Sequence, residues 1–115
     1  MIHITVEKQG ENYRRIVSEG HALYDEEGSD IVCAGVSALL INAVNSLDQL
    51  TGDGIVVDEG GAQGGFLSVS LEFPQSEGAR LLLDSLMLGL HSISENYGEA
   101  FLTIDERFCA SEETE

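Results

Sequence analysis

Between Val32 and Leu50 the apolar residues recur three and four positions apart, and they do so on more than one face. Val36, Leu40, Ala43, Leu47 and Leu50 make the main stripe, while Val32, Leu39 and Ile41 widen it. The spacing predicts a helix of about 20 residues starting at Asp30, roughly 30 Å long and apolar around much of its girth. Such a helix has to be buried on more than one side, so the rest of the chain must supply a sheet and a second helix to cover it.

The flanking segments supply both. Ile2, Ile4 and Val6 alternate with His3 and Thr5, the period-two pattern of a strand with one buried face. A turn at Gln9-Gly10-Glu11-Asn12 leads to a returning strand over residues 13–19 that ends at Gly20-His21. After the first helix, Thr51-Gly52-Asp53-Gly54 stops it and Ile55-Val56-Val57 opens a new strand. Leu67, Val69, Leu71 and Phe73 alternate with Ser68, Ser70 and Glu72 in the clearest strand of the chain, paired as a hairpin with residues 55–59. Pro74 closes that strand and Ser76 is placed as an N-cap. A second amphipathic helix then carries Ala79, Leu82, Leu83, Leu86, Leu90, Ile93 and Tyr97 and stops at Gly98. Residues 100–107 read as a final strand. The order is ββαββαβ. Connections of hairpin length favour antiparallel pairing, so the expectation is a single α+β domain of two helices packed with antiparallel sheets. Residues 1–109 form that domain and the acidic residues 110–115 a frayed tail.

Charge narrows the partners. Five Lys and Arg stand against 21 Asp and Glu, a formal net charge of −16, which argues against binding nucleic acid or an anionic membrane and favours a basic partner. Apolar runs are interrupted by Gly, Ser, Asn or Asp, and Met1-Ile2-His3-Ile4-Thr5 carries no basic leader, so a cytoplasmic protein is expected. Cys33 and Cys109 are expected as free thiols, because a chain of this core content needs no staple.

Chemistry is sought among polar and reactive residues at element ends. With Asp30 as cap, Cys33 falls at the third helical position, where unpaired N–H groups and the positive end of the helix dipole favour a thiolate and can hold an oxyanion. His21, 12 residues earlier at the end of the second strand, is within reach as its base. A buried structural thiol and a solvated histidine are the plainer readings of each residue taken alone. Asp30 can cap the helix, orient His21 or order the loop. Ser37, one turn after Cys33, can hydrogen-bond near the site or bond back to its own helix. Asp25, Glu26 and Glu27 form either a substrate-attracting flap or a solvated loop. Gly60 to Gly65 lacks the Lys-Ser/Thr of a phosphate loop. His3 and His91 read as surface residues, and Cys33 with His21 falls short of the four ligands of a structural zinc site, so no metal and no cofactor are expected.

Glu19-Gly20-His21-Ala22 followed by Gly28-Ser29-Asp30-Ile31-Val32-Cys33-Ala34-Gly35-Val36-Ser37-Ala38-Leu39 resembles the signature of the ribosomal-processing cysteine protease family, called Prp. The signature is confined to residues 20–39, and length and element order agree over the whole chain. The resemblance implies a thiol protease with His21 and Cys33 as a catalytic dyad and Asp30 in the same motif. It further implies removal of the N-terminal extension of large-subunit ribosomal protein twenty-seven during ribosome biogenesis, and a homodimer. Gly35 departs from the pattern, where a second alanine is expected after the cysteine. The competing function is a non-catalytic ribosome-assembly or peptide-binding module that holds the same basic tail without cutting it.

Overall fold

The computed structural model describes residues 1–20, 29–60 and 65–109. In chain order they form β1 (Ile2–Gln9), β2 (Asn12–Glu19), α1 (Ser29–Leu50), β3 (Ile55–Asp58), β4 (Phe66–Leu71), α2 (Glu77–Tyr97) and β5 (Leu102–Phe108). The α+β class and the ββαββαβ order are as expected from the apolar periods. Residues 110–115, read above as a frayed tail, lie outside the described residues.

The strands make one sheet in the order β3-β4-β2-β1-β5. Three of its pairs are antiparallel, and β1 pairs with β5 in parallel. The sheet is therefore mixed rather than wholly antiparallel. The reason lies in the helices: α2 leaves the end of β4 and runs its 21 residues back along the sheet, roughly 30 Å at 1.5 Å per residue. It delivers the chain to the end at which β1 begins, where the Ile2 N–H donates to the Phe101 carbonyl at 2.9 Å. From there β5 can only run the same way as β1. The loops are hairpin-short, but the helices themselves are crossovers.

One face of the sheet holds the core. Ile2, Ile4 and Val6, Ile16, Val69 and Leu71, and Leu102 join Val32, Val36, Leu40, Ala43 and Leu47 of α1 and Ala79, Leu83, Leu86 and Leu90 of α2 in a single buried cluster. A register shift between Glu7 and Lys8 brings Tyr13 opposite Lys8. Strict alternation from Ile16 would have aimed Arg14 inward; the irregularity turns Tyr13 inward instead. Its ring is 2% exposed, and its hydroxyl donates to Asp84 Oδ1 at 2.6 Å. Burial, then the Asp84 hydrogen bond and charge, push the phenol well above its ordinary range.

Polar side chains lock the end of the sheet where α2 starts. Buried Gln75 accepts the Tyr13 N–H at 2.6 Å and donates to the Tyr13 carbonyl at 2.8 Å, while its own N–H donates to Asn12 Oδ1 at 3.0 Å. Ser76 caps α2 as expected, its hydroxyl accepting the Ala79 N–H at 3.1 Å. Asp53 in turn accepts from the Ser76 N–H at 2.8 Å and the Ser76 hydroxyl at 2.6 Å. β4 stops at Leu71, two residues short of the alternation, with Pro74 unable to donate to a ladder.

The helices meet through glycines. A Cβ on Gly35 would lie 3.2 Å from Ile93 Cδ1, and one on Gly89 would lie 2.9 Å from Leu39 Cδ1. Gly35, the departure noted above, thus faces a snug helix–helix contact. Residues 31–50 of α1 are long and apolar enough to cross a bilayer by length and composition; the Val32–Val36–Leu40–Ala43–Leu47 stripe is packed into the core, but Ile31, Ile41 and Leu50 are exposed, so the expected burial on more than one side does not extend to them.

Candidate active site

α1 begins at Ser29, two residues before Ile31, the first helical residue expected with Asp30 as cap. A capping residue type fixes a helix start only to within a residue or two. Asp30 is consequently inside the first turn by its backbone rather than at the cap, and Cys33 is the fifth helical residue rather than the third. Its own N–H falls beyond the four that lack an intrahelical partner. By helix geometry the N–H groups without an intrahelical partner belong to the first turn, before the sulfur.

Cys33 is half-buried and lines an open groove of about 680 Å³. The wall on the helix side is Cys33, Val36, Ser37, Leu40 and Ile41. Across from it are the strand ends: Ile2, Ser18 and Gly20, then Glu59, Gly60, Gly65, Phe66 and Leu67. The volume falls in the range of small-ligand and peptide clefts. Ser37 is exposed and lines the groove with Cys33.

Gly20 explains why the Gly-His pair reads as it does. Its φ is +99°, and a Cβ placed there would lie 2.3 Å from the Met1 carbonyl oxygen. Its N–H donates to the Gly65 carbonyl at 2.8 Å. No other residue type fits this backbone without moving it. The residue directly before His21 is thereby pinned to the groove that Cys33 lines. His21 itself, together with Asp25, Glu26 and Glu27, lies outside the described residues, as does the Asp30 side chain.

Two groove residues escaped the sequence reading. Ser18 shares the inward face with Ile16 by period two, so a signal existed, a hydroxyl on an otherwise apolar row. Glu59 gave none, since its placement depends on how the β3–β4 hairpin folds over. The other candidates lie elsewhere. His91 Nε2 pairs with Glu106 Oε2 at 2.8 Å, between α2 and β5, and His3 Nδ1 meets Thr103 Oγ1 at 2.6 Å. Cys109 is exposed, with its N–H on the Lys8 carbonyl at 2.7 Å, at the opposite end of β1 from Ile2 and Cys33. Both thiols are free, as expected.

A half-buried thiol on the helical wall of an open cleft, in a small α+β domain, is an arrangement that a thiol hydrolase can use. The family model described as cysteine protease Prp matches residues 1–101, and the chain belongs to that family; it is a cysteine protease. Ribosomal processing cysteine protease Prp of Staphylococcus aureus is 35% identical over 98 residues, covering 85% of this chain and 91% of that one. The Bacillus subtilis protein of the same name is 37% identical over 84 residues, covering 68% and 72%. Crystal structures of the S. aureus protease, described as an essential ribosomal processing protease, contain a covalently linked product peptide in one case and a substrate peptide in another. Each superposes with a TM-score of 0.83 at 28% identity, covering 93% of this chain and all of that one.

Proposed function

We propose that this protease removes the N-terminal extension of large-subunit ribosomal protein twenty-seven during ribosome maturation, with Cys33 as nucleophile and His21 as its base. The observation that carries the reading is that Cys33 and Gly20, the residue before His21, line one open groove. The ribosomal-processing role named for the relatives and the peptides bound to the S. aureus protease support the substrate class.

In this mechanism the Cys33 thiolate attacks the scissile carbonyl carbon and a tetrahedral oxyanion forms. The N–H groups at the start of α1 are the backbone donors assigned to it in this mechanism. Collapse expels the amine, which takes the proton that His21 held, and leaves a thioester on Cys33. His21 then draws a proton from water, whose oxygen attacks the thioester, releasing the new carboxylate and restoring the thiol pair. Asp30 and Ser37 act in support, and Asp25, Glu26 and Glu27 attract the basic extension. We place the enzyme in the cytoplasm as a homodimer, with no nucleic-acid or membrane partner.

The test is mass spectrometry of a peptide spanning that extension and its junction, incubated with wild type, Cys33→Ala and His21→Ala. The expected result is one discrete cut by wild type, lost in Cys33→Ala and slowed at least a hundredfold in His21→Ala. A peptide that binds reduced wild type but stays intact would favour the non-catalytic binding module instead.

A further inference from the structure

The groove is apolar along Val36, Leu40, Ile41, Phe66 and Leu67, and among its described lining residues Glu59 alone carries a permanent charge. Glu59 is exposed, and among the described residues it has no ion-pair partner. The ring of Phe66 packs against the neighbouring Gly60, whose Cβ, if it had one, would lie 3.0 Å from Phe66 Cδ2. Glu59 and the Phe66 ring therefore adjoin Gly60 from either side on the groove wall. That pairing suits a side chain with an apolar stem and a cationic head, which lays its stem along the ring and its charge on the acid.

Among the described residues the side-chain cations are engaged or placed elsewhere, and none forms an ion pair with Glu59. Lys8 is at the distal end of β1, Arg107 opposite Glu7 in the strand register holds Asp105 Oδ2 at 3.0 Å, and Arg15 donates from Nε to Ser68 Oγ at 3.0 Å, on the face of the sheet that alternation sets opposite to core residues Ile16 and Val69. Arg14 adjoins Arg15, and Arg80 donates its N–H to Ser76 in the first turn of α2, next to Gln75, which is bonded to Asn12 and Tyr13. The groove is at the Ile2 end. Lys8 is six residue steps from Ile2 along β1, about 20 Å at 3.3 Å per residue and more than two screening lengths at physiological salt.

We infer that Glu59 is a specificity-determining residue that selects a lysine or arginine adjacent to the apolar residues seated in the groove. This rests on the protease reading and adds to it the feature of the substrate that this acid recognises. The probe is the extension peptide described above and a set in which each lysine or arginine is replaced by glutamine one at a time. Binding is measured by fluorescence anisotropy on Cys33→Ala, and cleavage separately on wild type. One replacement should weaken binding about threefold to fivefold, the reach of a solvent-exposed ion pair, and 0.5 M salt should erase the difference. In Cys33→Ala/Glu59→Gln that discrimination should vanish, while Cys33→Ala/Glu59→Asp should retain it. Wild type cutting the peptides with no replacement affecting binding, or discrimination persisting with Glu59→Gln, would overturn the inference and leave the protease reading standing. Failure of wild type to cut any peptide would instead remove the reading beneath it.

Discussion

Replacing Gly20 by alanine tests whether the end of β2 is what presents His21 to the groove. The new Cβ would stand 2.3 Å from the Met1 carbonyl oxygen, against a floor of about 3.0 Å for real contacts. Some backbone must therefore move by at least 0.7 Å, the difference of those two distances. The positive φ adds strain of about 1–2 kcal/mol for a residue with a Cβ, so a total destabilisation of about 2–3 kcal/mol is expected once the clash is included. At an m-value of about 2 kcal/mol/M the urea midpoint falls by about 1–1.5 M. Because a misplacement of about 1 Å can cost on the order of a hundredfold in rate, kcat/KM should fall between tenfold and a hundredfold under conditions where the variant is folded. Gly10→Ala is the internal control: its φ is +63°, but nothing lies within 4 Å of its would-be Cβ, so it should show only the strain of about 1 kcal/mol with full activity. If Gly20→Ala and Gly10→Ala behave alike in both assays, the crowding at Met1 does not position the site and the argument fails.

Gly35→Ala should shift stability by less than about 0.5 kcal/mol, because the helix-propensity gain of up to about 1 kcal/mol is offset by displacing the flexible end of Ile93; a loss above 2 kcal/mol by urea denaturation would show a rigid contact instead. Gln75→Ala, which strips partners from both backbone groups of buried Tyr13, should cost roughly 2–4 kcal/mol, read as a lowered thermal midpoint. The two hydrogen bonds from Ser76 hold the Asp53 carboxyl below its ordinary value. Its stabilisation is thus complete above about pH 4 and is lost as pH falls through the depressed folded value. The stability gap between wild type and Asp53→Asn should accordingly shrink between pH 4 and 2, by a few tenths of a kcal/mol for so exposed a group. A gap that widens on acidification would reverse the assignment.

Local signals carried most of the architecture. The period of 3.6 in α1 and α2, the alternation in β1 and β4, the Ser76 cap and the Gly98 stop each depend on residues within a turn or two of one another, and each lies within two residues of where the pattern placed it. The motif around His21 and Cys33 was equally legible, because it is contiguous in the chain. What it could not show was the exact helix start, since a capping residue type fixes that end only to within a residue or two.

Neighbours distant in sequence decided the rest. That β5 runs parallel to β1 follows from where α2 delivers the chain, and that Tyr13 rather than Arg14 enters the core follows from an irregular register against Lys8. Glu59 and Ser18 became groove residues only when the β3–β4 hairpin and the end of β2 came together opposite Cys33. Periodicity reports which face of an element is apolar. Which elements then meet is set by burying those faces together at the lowest cost in unpaired backbone groups, a property of the whole chain that only the tertiary structure expresses.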